Sequence, residues 1–319
     1  MMNRLNRVTG MILGAIAGDS LGRPYVFMRS RELFARSRQV CWEVLDPGMS
    51  SQLMMTTLRT VRQYGVDMHK IANSYRRYVM TGAEIDCVTA MWSQGQTNVY
   101  NDTALCGNQL LVRQIPIVLA GLGWDRMTLM NHIEKSCQIT HEDSETLEYA
   151  QIYGLCLQGI LQGKSRVEIW DELFAFVGQS PVRTTLLSTY YERPVADGVD
   201  FHHASIAFCH ALYHFWHDTP LISALRSVVL SGGATDINAS STGALLGAWH
   251  GDKIIPDSWR EVLFEHSGMQ IKAALKDAEN IYSRCGLVLD HRAYFHAKRY
   301  PSSARKLAPK LDSMVCHKT

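Results

Sequence analysis

The sequence predicts a single, compact all-α domain built from many helices. Helical periodicity dominates the 319-residue chain, and alternating β-branched runs are few. Only nine prolines interrupt the chain, which leaves room for long helices. Hydrophobic residues at 46% and charged residues at 19% are typical of a globular protein with a sizeable core. We expect this domain to span residues 1–290, followed by a basic tail over residues 291–319.

The first predicted helix covers residues 8–21 and is buried, because small residues recur at Gly10, Gly14 and Gly18. Helices over residues 53–64 and 68–80 follow it. Residues 81–108 form a long glycine-containing stretch, which indicates a loop of the kind that carries binding residues.

The remaining chain alternates between helices and short breaks. Asp125 is a predicted N-cap, Gly163 ends a helix, and Ser165 with Glu168 forms the pattern of a capping box. The further predicted helices cover residues 108–122, 127–139, 145–162, 165–177, 201–217, 220–230, 240–249, 257–267 and 269–284.

Charge and cysteine content exclude several classes of protein. A net charge of +2 gives no indication of a nucleic-acid partner. No apolar run reaches the roughly 18 residues of a membrane helix. The eight cysteines contain no C-x-x-C pair, which suits free thiols in a reducing compartment, and we expect a cytoplasmic protein.

A row of histidines, at positions 203, 210, 214 and 217, occupies one face of a predicted helix. The spacing is compatible with a metal site, but no carboxylate or cysteine accompanies the row. We interpret it as a solvated or partly buried polar stripe.

Residues 232–251 combine a glycine pair, a polar turn and a small-residue helix. A polar turn that leads into a helix presents free backbone N–H groups and a positive dipole end, so it can bind an anion or a carboxylate-held cation. The small residues Gly243 and Gly247 are equally consistent with close helix–helix packing that has no catalytic or binding role. Both interpretations stay open at this point.

Four short motifs occur in a fixed order along the chain. They are GAIAGDSLG at 14–22, GNQLLVRQIP at 107–116, TH at 140–141 and GGATD at 232–236, the last followed by GALLGAWHG at 243–251. This order resembles the ADP-ribosylglycohydrolase family, which includes ADP-ribosylarginine hydrolases and the dinitrogenase-reductase-activating glycohydrolase. The corresponding family patterns are G-A-x-x-G-D-A-L-G, S-N-G-x-x-M-R-x-x-P, T-H and G-G-D-T-D-T, with T-D-D-T between the first two.

The resemblance implies a cleft with two Mg²⁺ ions, but several metal-ligand positions have changed. The T-D-D-T motif corresponds to residues 49–52, which read Met-Ser-Ser-Gln and contain no carboxylate. In the last motif Ala234 replaces an aspartate and Ile237 replaces a threonine, so Asp236 alone is kept. The glutamate that often follows the first motif falls near Val26.

One carboxylate and two serine hydroxyls are a poor set of ligands for two Mg²⁺ ions. Magnesium prefers octahedral oxygen coordination with carboxylates, and two neighbouring cations repel unless several anionic ligands offset their charge. Met49 offers only a thioether, which is a poor ligand for a hard cation. Acids elsewhere in the fold could compensate, and the candidates are Asp46, Glu84, Asp86 and Asp102.

We therefore expect a catalytically impaired homologue, a pseudoenzyme, that needs no cofactor and binds an ADP-ribose-like ligand, an ADP-ribosylated protein or another protein partner. The expected cleft residues are Asp19, Ser50, Ser51, Gly107, Asn108, Gln109, His141, Gly233, Thr235 and Asp236, with Asp236 as a vestigial metal ligand. One alternative is an active hydrolase with a reduced Mg²⁺ site that uses Asp236. Another is an inhibitory or structural partner of an ADP-ribosyltransferase. For the basic tail, a frayed terminus is favoured over a docking arm.

Overall fold

The computed structural model describes residues 4–44, 46–79, 107–196 and 201–296. Within these ranges the chain is helical and contains no strand, which confirms the predicted all-α class. The helices are α1 (Arg4–Gly22), α2 (Ser30–Ala35), α3 (Met49–Tyr64), α4 (Met68–Val79), α5 (Leu110–Arg113), α6 (Ile115–Ala120), α7 (Arg126–Cys137), α8 (Ser144–Gln162), α9 (Arg166–Val177), α10 (Val182–Tyr191), α11 (Ala204–Trp216), α12 (Leu221–Leu230), α13 (Thr235–His250) and α14 (Asp257–His296). Short 3₁₀ turns cover Arg23–Tyr25 and Asp252–Ile254.

The centre of the fold is an antiparallel pair of helices, α1 and α13, whose backbones touch. Gly10, Gly14 and Gly18 recur every four residues on α1, so they share one face. A Cβ added to any of the three would lie 2.1 to 2.3 Å from a backbone oxygen of α13. This contact confirms that the small residues of both helices serve close packing.

The other helices surround this pair. α11 and α12 pack on α13, while α14 packs along α3 and also contacts α1 and α6. The long helix α8 is almost fully buried along its length and contacts α7 and α9. None of the described helices is long and apolar enough to span a membrane.

The helix ends predicted from capping residues are confirmed. The Asp125 carboxylate accepts a hydrogen bond from the Thr128 N–H at 3.0 Å. Ser165 and Glu168 form the reciprocal capping box. Gly163 ends α8 in the left-handed conformation, with φ of 83°.

Several predicted boundaries are wrong. The predicted helix over residues 108–122 is divided into α5 and α6, because Pro116 lacks an N–H and its ring crowds the preceding turn. Helix α10 was not predicted, since its threonines and serine favour helices weakly, and burial of Val182 and Leu186 stabilises it instead. Helix α13 begins at Thr235, five residues before the predicted start. The two last predicted helices are continuous across a kink at Ser267.

The histidine row of α11 is partly buried, the second of the two forms expected, with His203 half-buried at its start. His210 is 1% exposed and His214 is 3% exposed. Both ring nitrogens of His210 lack a hydrogen-bond partner within the described ranges. His217 is exposed at the end of the helix. The helix packs against α10 and α13, which accounts for burial on more than one of its faces.

Parts of the sequence interpretation lie outside the described residues. These are residues 80–106, which include Cys106, Glu84, Asp86 and Asp102, and the tail beyond residue 296. Helix α14 itself continues past residue 290 to His296.

Candidate ligand cleft at two helix N-termini

The end of α1 meets the beginning of α13, and this meeting places two carboxylates side by side. The hydroxyl of Thr235 donates to the Gly22 carbonyl oxygen at 2.7 Å. A Cβ on Gly22 would lie 2.6 Å from the Cα of Asp236, so the two backbones are in contact. Asp19 lies one turn before Gly22 on α1, on the same helix face. The packing of α1 on α13 therefore brings Asp19 close to Asp236.

Asp19 occupies the N-terminal end of α3. Its side chain is fully buried, and its Oδ2 accepts a hydrogen bond from the Ser51 backbone N–H at 2.8 Å. Gly48, the residue before α3, packs against the other oxygen so closely that a Cβ there would lie 2.4 Å from Oδ1. A carboxylate at this position satisfies a free N–H of the first turn and complements the helix dipole. Asp19 thus has a structural role in anchoring α3 to α1.

Burial raises the pKa values of both carboxylates. Burial raises the pKa of Asp19, and the hydrogen bonds from Ser51 oppose that effect. Burial, followed by the charge of Asp19, raises the pKa of Asp236 to about 7. The positive charge of Arg23 acts in the opposite direction on both pKa values. Near neutral pH the pair consequently carries less than its full formal charge.

Asp19 and Asp236, at the ends of α1, α3 and α13, form the first wall of the expected cleft. The segment that begins at Gly107 forms the second wall. The Asn108 side chain donates to Asn238 Oδ1 on α13 at 3.2 Å, and both side chains are buried. The Gln109 amide lies 3.9 Å from the Met49 sulfur at the start of α3. These two contacts join the segment to the beginnings of α13 and α3, so the cleft lies where two helix N-termini converge.

The third wall is the turn at Gly232 and Gly233, which precedes α13. Both glycines have positive φ, at 79° and 73°. The Phe27 N–H donates to the Gly233 carbonyl at 2.9 Å, and the Gly233 N–H donates to the Met28 carbonyl at 3.0 Å. Phe27 has a φ of 68°, which a bulky side chain rarely adopts. Its ring is 64% exposed beside the turn.

Two further rings pack next to Phe27. The centroids of Phe201 and His202 each lie 5.5 Å from the Phe27 ring in edge-to-face arrangements. The His202 carbonyl accepts the Asn108 backbone N–H at 3.1 Å, which ties this aromatic cluster to the second wall. We call Phe27, Phe201 and His202 the aromatic rim. An exposed aromatic face of this kind can stack on a planar ring.

His141 lies behind the second wall rather than open to solvent. It is 2% exposed, and its Nδ1 lies 2.8 Å from the Thr140 hydroxyl. The opposite edge of the ring faces Gly107, where a Cβ would lie 2.6 Å from Nε2. The His141 ring thus lies between Thr140 and Gly107, the residue before Asn108.

The described residues do not fit a pair of Mg²⁺ ions. Nowhere in the described ranges do three His, Cys, Asp or Glu side chains form a group that could hold a metal ion. Asp19 is engaged by the Ser51 amide, and Ser50 contributes a buried hydroxyl with no hydrogen-bond partner in the described ranges. Asp46 is exposed and accepts a hydrogen bond from Ser267 at 3.1 Å, at the kink of α14. Two carboxylates, with no third acidic side chain grouped with them in the described ranges, do not supply the anionic ligands that two Mg²⁺ ions require.

Sequence reasoning named most of the residues that meet here but missed several contacts. Asp19, Ser51, Asn108, Gln109, Thr235 and Asp236 meet at the ends of α1, α3 and α13, with Ser50 on the first turn of α3 and Gly233 in the adjoining turn. Asn238 was missed because α13 was predicted to begin two residues after it. The aromatic rim has no signal in the sequence, since exposure of an aromatic side chain depends on tertiary packing.

Comparison with known proteins identifies the family to which this fold belongs. The ADP-ribosylglycohydrolase family profile matches residues 1–288, so the chain belongs to the ADP-ribosylglycohydrolase family. A protein of Acanthamoeba polyphaga mimivirus, named as an ADP-ribosyl glycohydrolase, is 23% identical over 297 residues, covering 79% of this chain and 89% of the viral protein. A solved structure described as an ADP-ribosylglycohydrolase-related protein complex superposes with a TM-score of 0.71 at 22% identity. The superposition covers 88% of this chain and 99% of that one, and it supports the same fold.

Proposed function

We propose that this family member is a catalytically impaired homologue that binds an ADP-ribose-like group in the cleft between α1, α3 and α13. The observation that carries the proposal is the set of side chains at the starts of α3 and α13. Asp19 and Asp236 lie there with two serine hydroxyls, and within the described ranges no group of three His, Cys, Asp or Glu side chains could hold a metal ion. Two Mg²⁺ ions need several anionic ligands, because their charges otherwise repel.

The same cleft suits an anionic ligand such as a diphosphate. The N-termini of α3 and α13 converge on it, and each helix has 16 residues. Helix N-termini favour negative groups through free N–H donors and the helix dipole. Partial neutralisation of Asp19 and Asp236, together with the nearby charge of Arg23, lowers the repulsion that an incoming anion would meet.

The aromatic rim supports a nucleotide-like ligand rather than a simple anion. Phe27 presents most of its ring surface to solvent next to the Gly233 turn. Stacking of a base on an aromatic side chain contributes about 1 to 3 kcal/mol. A diphosphate at the helix N-termini and a planar base on Phe27 match the chemical composition of ADP-ribose.

Calorimetric titration with free ADP-ribose tests the binding proposal. We expect saturable 1:1 binding in buffer with EDTA, at an affinity unchanged by added Mg²⁺. Phe27→Ala should weaken binding about tenfold. The control is Phe34→Ala, because Phe34 is a comparably exposed phenylalanine, at 55%, on α2. No binding of ADP-ribose by the wild-type protein would refute the proposal.

An active hydrolase is the second candidate, and the pKa of Asp236 favours it. A carboxyl with a pKa of about 7 is suited to proton transfer near neutral pH. Release of ADP-ribose from an ADP-ribosylated arginine peptide, measured by chromatography with and without Mg²⁺, distinguishes the two candidates. Turnover that disappears in Asp236→Asn would favour the enzyme, and an absence of turnover despite ADP-ribose binding would favour the impaired homologue.

The remaining predictions concern protein partners and compartment. An inhibitory role toward an ADP-ribosyltransferase depends on surfaces that include the tail, which lies outside the described residues, and it stays a prediction. The cytoplasmic location also stays a prediction. A pull-down that compares the full chain with a variant ending at His296 would test the contribution of the tail.

A further inference from the structure

Arg113 is a buried cation that makes few contacts with polar groups among the described residues. It is 0% exposed, and its guanidinium lies 5.0 Å from the ring centroid of Tyr75. Within the described ranges no carboxylate pairs with it, and its Nε and one terminal nitrogen have no hydrogen-bond partner. Its other terminal nitrogen donates to the Thr140 hydroxyl oxygen at 2.9 Å. Burial of an unpaired charge is costly, so this single hydrogen bond needs an explanation.

The Thr140 hydroxyl has one proton and two neighbouring acceptors. The Cys137 carbonyl oxygen is 3.4 Å away, whereas His141 Nδ1 is 2.8 Å away. Ordinary O–H···O bonds measure 2.5 to 3.0 Å, so the Cys137 contact is too long for a strong bond. With its oxygen accepting from Arg113, the hydroxyl directs its proton to Nδ1. Nδ1 then acts as an acceptor, and the single ring proton of a neutral imidazole resides on Nε2.

The charge of Arg113 favours the same neutral form. A protonated imidazole would place a second positive charge near the Arg113 guanidinium, which has no carboxylate partner within the described ranges, in a region where both side chains are at most 2% exposed. Like charges repel strongly when water is excluded. Hydrogen bonding and Coulomb repulsion therefore both favour the neutral imidazole of His141.

We propose that Arg113, acting through Thr140, fixes His141 as the neutral Nε2–H tautomer, and that this edge of the ring positions the segment at Gly107. The Nε2 edge already lies against Gly107 so closely that no Cβ fits between them. The next two residues are Asn108, which is bonded to Asn238, and Gln109, which contacts Met49. Arg113 is thus a positioning residue for the second wall of the cleft. The consequence for ligand affinity rests on the proposed function, whereas the tautomer does not.

Nitrogen-15 NMR of histidine-labelled protein measures the tautomer without any ligand. His141→Gln assigns the His141 signals among the 13 histidines of the chain. We expect the wild type to show a protonated Nε2 and an unprotonated Nδ1. Thr140→Ser keeps the hydroxyl and should keep this signature. Thr140→Val removes the hydroxyl at nearly constant shape and should give mixed tautomers, as should Arg113→Met where that variant folds.

A second measurement connects the tautomer to positioning. Thr140→Val should weaken ADP-ribose binding about threefold to tenfold, and Thr140→Ser should restore it. A wild-type Nδ1–H or doubly protonated signature would overturn the proposal, and so would identical signatures in the Val and Ser variants. A correct signature with unchanged affinity in Thr140→Val would overturn the positioning role. If the wild type does not bind ADP-ribose, the proposed function fails, and the NMR result still decides the tautomer.

Discussion

Gly14 of α1 and Gly243 of α13 touch through their backbones: a Cβ on either residue would lie 2.1 Å from the carbonyl oxygen of the other. The contact involves main-chain atoms on both sides, so no side-chain rotation can relieve an added methyl group. The same contact recurs from Gly10 to Gly22, and it fixes where Asp19 lies relative to Asp236. Stability of the fold and geometry of the cleft therefore depend on one helix pair.

We expect Gly243→Ala to reduce the free energy of unfolding by about 3 kcal/mol or more, because the helices must separate to admit the Cβ. Gly268→Ala is the matched control. Gly268 lies in α14, and its Cβ would meet only side-chain atoms of Phe264 at 3.7 and 3.8 Å. That variant should be neutral or slightly stabilising, since alanine favours a helix over glycine by about 1 kcal/mol. Urea denaturation of both variants measures the difference, and equal stabilities would contradict the packing argument.

Asp236 should destabilise the protein as the pH rises. Its pKa is about 7 in the folded protein and 3.8 when unperturbed. Between these values the folded state retains a proton that the unfolded state releases, so stability falls with rising pH, by at most about 1.4 kcal/mol per pH unit. Asp236→Asn removes the ionisation while keeping an acceptor for the Ile237 N–H. We expect the variant to be more stable than the wild type at pH 8 and similar at pH 4, as measured by chemical denaturation.

His210 should make the stability of the protein depend on pH in the opposite direction. Burial, followed by the charges of His214 and Arg193, lowers its pKa from 6.5 to about 3. Between these values the unfolded state binds a proton that the folded state does not, so stability falls as the pH decreases below about 6.5. His210→Leu removes this contribution, so the stability of the variant relative to the wild type should increase as the pH falls from 6.5 to 4. His217→Gln, an exposed histidine at the end of the same helix, is the control because its replacement removes no buried imidazole. A wild-type slope that persists in His210→Leu would rule out this residue as its source.

The two slopes act over the same range of pH, so their sum conceals both. From about pH 4 to 6.5, rising pH gains stability through His210 and loses it through Asp236. In the double variant Asp236→Asn/His210→Leu, we expect the free energy of unfolding to change with pH about as little as in the wild type. In the two single variants it should change with pH in opposite directions. Denaturation of the four proteins at pH 4.5, 5.5 and 6.5 completes the comparison.

The sequence predicted the helices where periodicity and caps agreed, as at Asp125 and Ser165. It failed where tertiary packing outweighs local preference. Helix α10 forms from threonines because Leu186 is buried, and the sequence did not decide whether His210 is buried. Both outcomes arise from the same cause, since burial is decided by partners far away in the chain.

The candidate site was predictable to the extent that motifs carry it. The motif positions of Asp19, Asn108 and Asp236 follow from the family pattern, but their contacts with Ser51 and Asn238 do not. The hydrogen bonds from Arg113 through Thr140 to His141 also had no sequence signal. Arg113 ends α5 and Thr140 follows α7, so only the tertiary fold brings them together. The positive φ of Phe27 also had no sequence signal, because a bulky aromatic residue rarely adopts that conformation.

Restoring the altered motif positions should create a metal site where the wild type has a poor one. The changes are Ser50→Asp, Ser51→Asp, Ala234→Asp and Ile237→Thr, which restore the paired aspartates of T-D-D-T at the start of α3 and the full G-G-D-T-D-T pattern at the start of α13. Without metal, the added buried carboxylates should lower the melting temperature, because their charges are close together and desolvated. Mg²⁺ binds only the folded state and should recover stability as its concentration rises.

We expect the melting temperature of the quadruple variant to increase with MgCl₂ and not with NaCl of equal ionic strength, while the wild type responds equally to both salts. Tight binding of two Mg²⁺ ions by the wild type in calorimetry would show instead that acids outside the described ranges complete the site.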